Sequence, residues 1–275
     1  DRLERSNFFD GPRRVTPERE REVHALGATV EQSEAFAERE LTGVPGVWEY
    51  RLRGSRRSLF LRHGTQDVAI LDEVFRKRVY DPPAHVEEAL APRDRPLSVV
   101  DVGANIGLFA LFIAERLRAG MIVGFEPDPS NITILERAMT ASHEKASWQL
   151  VPACAGTRAG SVRFRTGLFA CSRIAEADAD DEETTVTPVV DAFPYLQDAD
   201  LVKIDVEGGE WALLADPRLG GTAIRAIALE YHWHLSPPGR PGAAAERLLR
   251  RAGFAVEVLH ERPDGQGMLW AWRHA

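Results

Sequence analysis

The segment Val99-Val100-Asp101-Val102-Gly103-Ala104-Asn105-Ile106-Gly107 sets an apolar strand, an acid at its tip and then small residues at every second position, just before an amphipathic stretch. Such a turn lets backbone pass close under a bound nucleotide. Glycine places no Cβ in the way, and Asn105 tolerates left-handed backbone where another glycine could stand. The spacing differs from a dinucleotide fingerprint: the third glycine of G-x-G-x-x-G would fall on Leu108, whereas the series here runs 103, 105, 107. Charge points the same way, since Asp101 would repel a pyrophosphate but suits the ammonium and sulfonium groups of S-adenosylmethionine. Glu126, in Gly124-Phe125-Glu126-Pro127, ends the next strand where an acid takes both ribose hydroxyls in such folds.

A second group of acids and a histidine falls at later strand ends, where open α/β sheets hold their ligands. Asp205, Glu207, Glu230 and His232 are the candidate catalytic residues: a base to take a proton from a hydroxyl or ammonium acceptor, or a clamp to hold it. Glu230 and His232 lie two apart and should point to one side of their strand, with Tyr231 and Trp233 facing the other way. The spacing Asp205-Val206-Glu207-Gly208-Gly209-Glu210, with Glu230, could also make a hard oxygen site for magnesium or calcium. Glu207 and Glu210 could equally serve the first turn of the next helix, and no metal is expected to be required. His234 reads as structural, and Lys203 as the buried partner of a carboxylate.

These residues need a scaffold, and the hydropathy pattern supplies one. From Ser98 the chain alternates short apolar strands (98–102, 121–125, 148–153, 201–204, 226–231) with helical stretches (107–117, 131–139, 242–252), the signature of a doubly wound, mostly parallel α/β sheet. Residues 255–260 and 268–272 flank Pro263-Asp264-Gly265 and read as a closing hairpin. Residues 1–95 form an N-terminal α/β extension covering a larger α/β domain at 96–275: surface helices over 16–42, two short strands around Gly54, and a helix from Val68 to Tyr80 ended by Asp81-Pro82-Pro83. The acidic stretch between Gly167 and Thr187 reads as a surface loop.

Composition removes several classes of function. A formal net charge of -8 argues against nucleic acid as a partner, and the basic run Arg51–Arg57 reads as a solvated rim. No apolar run reaches membrane-spanning length, so no membrane partner and a cytoplasmic location are expected. Cys154 and Cys171 are too few for a disulfide framework.

Four blocks in order resemble the FkbM-type methyltransferases: Asp101-Val102-Gly103-Ala104-Asn105-Ile106-Gly107, Phe125-Glu126-Pro127, Leu201-Val202-Lys203-Ile204-Asp205-Val206-Glu207-Gly208-Gly209-Glu210 and Leu229-Glu230-Tyr231-His232. The resemblance implies the class I methyltransferase (Rossmann-like) fold, seven strands with the last antiparallel, and S-adenosylmethionine-dependent methyl transfer, usually to oxygen. It implies that Asp101, Gly103, Asn105 and Gly107 line the methionine end of the cofactor, Glu126 the ribose, and Cys154 and Ala155 the adenine, with Asp205 shared between cofactor and acceptor. The expected acceptor is a small molecule or glycan of natural-product or glycan biosynthesis, with N-methylation of an amine, amide or peptide side chain as the alternative. A non-catalytic cofactor-binding partner protein is the different-class alternative. A homodimer is one expected assembly, and the N-terminal 45 residues match no block.

Overall fold

The computed structural model describes residues 16–91, 94–117, 119–141, 147–167, 173–174 and 184–274. Thr16 caps helix α1 (Pro17–Gly27) by accepting from the Arg19 N–H at 3.2 Å, and α2 (Ser33–Thr42) ends on Gly43 at φ +65°. Strands β1 (Val47–Arg51) and β2 (Ser58–Arg62) pair antiparallel. Helix α3 (Asp67–Leu71) then widens into a π-helical turn, Asp72–Arg76, and α4 spans Ala84–Ala89. The helix expected over Val68–Tyr80 therefore stops early. Arg78 takes φ +55°, which no helix continues through, and the chain turns so that Tyr80 faces inward.

The main sheet holds β3 (Leu97–Val102), β4 (Ala119–Phe125), β5 (Ser147–Val151), β10 (Leu201–Ile204), β11 (Ala226–Tyr231), β12 (Ala255–Glu261) and β13 (Gly267–Trp272) in the order β12-β13-β11-β10-β3-β4-β5. Only β13 runs antiparallel to its neighbours, so the seven-stranded sheet with an antiparallel last strand is as expected. Crossovers are α5 (Leu108–Arg116), α6 (Pro129–Ala141), α8 (Glu210–Ala215) and α9 (Pro241–Arg251). Successive strand residues divide between two cores. Val99, Ile122 and Ala228 join one, and Val100, Val123 and Leu229 join the other, because side chains alternate across a pleated strand.

Two expectations need correction. The helices over 16–42 are more than a surface layer: Val23, Leu26, Val30 and Phe36 are buried in the same core as Val99 and Trp270, so the extension closes one face of the sheet. The stretch from Gly167 to Thr187 is also not all loop. A second, four-stranded sheet, β6 (Cys154–Gly156), β9 (Thr184–Asp191), β7 (Gly160–Arg165) and β8 (Arg173–Ile174), begins its long strand inside it, driven by the β-branched run Thr184-Thr185-Val186-Thr187. The acidic run 175–183 lies outside the described residues, as does Cys171. A short helix α7 (Phe193–Leu196) leads from β9 to β10. Within the basic run, Arg53 donates to the carbonyls of Ala28 and Val30, and Arg57 pairs with Glu115 at 2.7 Å, so these arginines tie down the extension. No helix among the described residues is long and apolar enough to cross a membrane.

Candidate active site

A cavity of about 1060 Å³ opens over the carboxyl ends of β3, β4, β10 and β11. Its walls include Gly103, Asn105, Glu126, Cys154, Ala155, Asp205, Glu207 and Glu230. Asp101, Gly107 and His232, also singled out in the sequence, stand behind the wall.

One side of the cavity is built largely from backbone. Gly103 sits at φ +87°, and a Cβ there would come within 1.9 Å of the Asp205 carbonyl oxygen, so no other residue fits without moving β10. Asn105 is left-handed at φ +49°, and Gly107 at φ +87° opens α5 with Leu135 packed against it. The Asn105 and Asp128 N–H groups each donate to Glu126 at 2.8 Å, and the Asn131 side-chain amide donates at 3.4 Å. Burial nevertheless pushes the Glu126 carboxyl up to about 7 against these donors. Beyond it Ala153, Cys154, Ala155 and Phe164 give an apolar wall. The Cys154 thiol is pushed up to about 12, by burial first and then by Glu126, and stays neutral. Asp101 is fully buried and pushed up to about 6 by burial, with Lys203 opposing the shift. The Lys203 ammonium reaches three groups: it donates to the Gly103 carbonyl at 2.6 Å and lies 3.5 Å from Asp101 and 3.4 Å from Asp205. The expectation of a buried carboxylate partner for Lys203 matches this geometry.

The other side is built from side chains. Tyr80 brings its hydroxyl to 3.5 Å from both Asp205 Oδ2 and Glu230 Oε2. The Gln266 amide donates to Glu230, and burial, followed by the nearby Asp205 charge, pushes the Glu230 carboxyl up to about 8. Glu73, from the π-helical turn, lines the same wall and is raised by burial. His232 follows the last residue of β11, with its Nδ1 3.4 Å from Glu210 and its Nε2 3.6 Å from Glu207. Burial works to lower its pKa, but Glu210, Glu207 and Asp205 together outweigh it and push it up to about 10, so the ring stays an imidazolium. Glu210 also accepts from the Gly208 N–H at 2.8 Å and the His232 N–H at 2.7 Å, so it ties the turn before its helix to the end of β11 rather than serving the helix's first turn.

Asp205, Glu207 and His232 have ligand atoms within 4.8 Å of one another, the ligand types of a divalent-cation site; Glu230 is not in this group. The imidazolium already balances part of the carboxylate charge there. Trp233 corrects an expectation: it lines the cavity mouth, 60% exposed, because β11 ends at Tyr231 and strand alternation no longer governs residues beyond it. Tyr231 does face away, donating to Glu261 at 3.0 Å. His234 is not in the wall; its ring packs edge-on against Trp233. Sequence reasoning passed over Tyr80, Glu73 and Gln266 as site residues. Gln266 directly follows the Asp264-Gly265 turn that was legible, but nothing in a turn motif says what its flanking side chain reaches.

The strand order with antiparallel β13, and the acid-tipped β3 running into a glycine turn, define a class I methyltransferase fold. Residues 101–256 match the methyltransferase FkbM domain, more than half of the chain, and the chain belongs to that family. It is similar to Methyltransferase 1 of Beauveria bassiana, at 25% identity over 70% of this chain and 82% of that protein. A second likeness, at 28% identity over 59% of this chain, is to a stretch making up 10% of the AMB antimetabolite synthetase AmbE of Pseudomonas aeruginosa. Among solved structures, the N-terminal domain of EvdMO1 with SAH bound aligns over 98% of this chain and all of that one at 18% identity and a TM-score of 0.44. The SAM-dependent methyltransferase from Agrobacterium tumefaciens aligns over 84% of this chain and 71% of that one, at 15% identity and a TM-score of 0.46.

Proposed function

We propose that this chain uses S-adenosylmethionine to methylate a hydroxyl group on a small molecule or sugar. The observation that carries the reading is the meeting, in one cavity, of the backbone cradle at Gly103 with the carboxyl pair Asp205 and Glu230. The cofactor fits the residues present. Asn105 Oδ1 is buried with no hydrogen-bond partner among the described residues, an acceptor suited to an ammonium or hydroxyl donor. Glu126 keeps lone pairs for the ribose hydroxyls, and the wall around Cys154 suits a flat apolar ring. Asp101, behind Gly103, would act through the field it shares with Lys203. S-adenosylmethionine, when bound, supplies an electrophilic methyl carbon on a sulfonium sulfur that leaves as a neutral thioether.

The acceptor's proton must go to a protein group. His232 holds its own proton and is poorly suited, so it fixes Glu207 and Glu210 in place instead. Glu230, with Asp205 beside it, is the base: its raised affinity for a proton matches the neutral range in which such bases work. An amine acceptor is the second reading, favoured by the acidic wall of Glu73, Asp205, Glu207 and Glu230, which would hold an ammonium. The likeness to part of an antimetabolite synthetase supports a place in natural-product biosynthesis, and we propose a cytoplasmic setting.

The first experiment is calorimetric titration of S-adenosylmethionine, and of NAD, into the full chain with and without EDTA. Micromolar binding of the former, insensitive to EDTA, is expected, followed by labelled-methyl transfer to hydroxyl rather than amine members of an acceptor panel. Binding of NAD alone would overturn the cofactor; transfer only to amines would establish the second reading.

A further inference from the structure

The N-terminal extension does more than close a face of the sheet, because it delivers Tyr80. The left-handed turn at Arg78 and the stiff Asp81-Pro82-Pro83 that follows hold Tyr80 in place at 5% exposure. Its ring packs edge-on against Phe109, 5.2 Å away in the first turn of α5, and lies 6.0 Å from the Lys203 ammonium. Its hydroxyl has a single proton and two carboxylate oxygens at the same 3.5 Å. The contacts are long enough to leave the proton free to favour either oxygen.

We infer that Tyr80 is a positioning residue of the methyl-transfer centre: its hydroxyl stands between Asp205 and Glu230 and holds the Glu230 carboxylate toward the acceptor. The inference rests on the roles given to Asp205 and Glu230 above.

Charged groups face this point from several elements. Glu73 approaches from the π-helical turn, Asp101 from β3, Asp205 from the end of β10 and Glu230 from β11; Lys203 stands against them, Lys77 and Arg262 act on Glu73, and His232 is paired with Glu207 and Glu210. The phenol is held far above its ordinary value by burial and by Asp205, so it remains a donor throughout. In the transfer Glu230 would take the acceptor's O–H proton, and the acceptor oxygen would take the methyl group as the carbon–sulfur electron pair returns to the departing thioether. The proton then leaves to solvent past Asp205, whose side chain is partly exposed.

The test is Tyr80→Phe in the full chain, which keeps the ring on Phe109 and removes only the hydroxyl. The expected result is a fall in kcat of about 10- to 100-fold with S-adenosylmethionine affinity changed less than about twofold. The pH at which kcat rises moves upward by about half a unit or more, since a donor that favoured the carboxylate is gone. Adding Asp205→Asn to Tyr80→Phe should cost little more than either alone, because the two act together. A wild-type pH profile, or full additivity with Asp205→Asn, overturns the inference and leaves Tyr80 a wall residue. If the phenylalanine variant folds poorly, 3,5-difluorotyrosine at position 80, a stronger donor of nearly the same shape, must move the same limb downward; no movement is equally fatal. A wild-type chain that fails to bind S-adenosylmethionine would instead defeat the reading of function, whatever Tyr80 does.

Discussion

The two halves of the cavity are built from different materials. Around Gly103 and Asn105 the ligand-facing surface is backbone, positive in φ at both residues as at Gly107 behind them, and the carboxylate that reaches it, Glu126, is held by N–H donors within a few residues of the turn and of its own strand end. Around Asp205 and Glu230 the surface is side chain, crowded with charge, and drawn from segments that share no local sequence. A backbone cradle recognises one ligand of constant shape and leaves little room to vary. A side-chain wall can be re-cut for each acceptor while the cradle stays the same, the separation expected where one fold serves many substrates. Lys203 joins the two, bonded to the Gly103 carbonyl and paired with Asp205.

The cradle should therefore be the more brittle half. Gly103→Ala places a Cβ 1.9 Å from the Asp205 carbonyl oxygen, at a φ of +87° that alanine resists, so β3 and β10 must part to admit it. Loss of measurable S-adenosylmethionine binding by calorimetry, at least about 100-fold, is expected with a lowered melting temperature. Binding within tenfold of wild type would show that the cradle is softer than its geometry.

The next largest effect separates the halves directly. Glu126→Gln and Glu230→Gln keep volume and remove charge, one on each side. Glu126→Gln should weaken cofactor binding by about 10- to 100-fold with a smaller change in kcat at saturation. Glu230→Gln should lower kcat by about 100-fold or more and leave cofactor affinity within about twofold. Steady-state kinetics and titration on the two purified variants read both quantities. If both variants lose affinity equally, the division into two halves is wrong, and the charges act as one network through Lys203.

The same contrast governs what the sequence disclosed. The cradle was legible because a backbone-lined site imposes residue types at close spacing: glycine where a Cβ cannot fit, asparagine where the chain turns left-handed, an acid at the next strand tip. The sheet was legible because buried parallel strands are apolar runs between helical ones. The acceptor wall was only half legible. Asp205 and Glu230 stood at strand ends, but Tyr80 is 125 and 150 residues away from them in the chain, and what brings it in is a helix that breaks at Arg78. His232 was visible as a residue but not as a cation, since that depends on Glu210 and Glu207 closing around it in space. Trp233 was misplaced for a local reason: strand alternation was carried two residues beyond the end of the strand at Tyr231.

The smallest effect expected is on stability, and it too divides by region. Asp101 at about 6, Glu126 at about 7 and Glu230 at about 8 hold protons that exposed carboxyls release near pH 4, burial being the first cause in each. His232 holds its proton to about 10, the surrounding carboxylates overcoming the effect of burial. All four folded values lie above the unfolded ones, so the folded chain binds more protons and its stability declines as pH rises. The contribution is fully present below the unfolded values, about 4 for the carboxyls and about 6.5 for the imidazole, and is lost as pH climbs through the folded ones. Between about pH 5 and pH 9 the melting temperature of the ligand-free chain should fall by about 5 °C or more. The cradle accounts for the part of the decline that is complete by about pH 8, and the acceptor wall for the part that continues to pH 9 and above. Saturating S-adenosylmethionine, whose ribose hydroxyls favour the ionised Glu126, should flatten the lower part and leave the upper. A melting temperature that is level across the range would mean that these carboxyls are solvated in the folded chain. Equal flattening of both parts would mean that the cradle and the acceptor wall titrate as one.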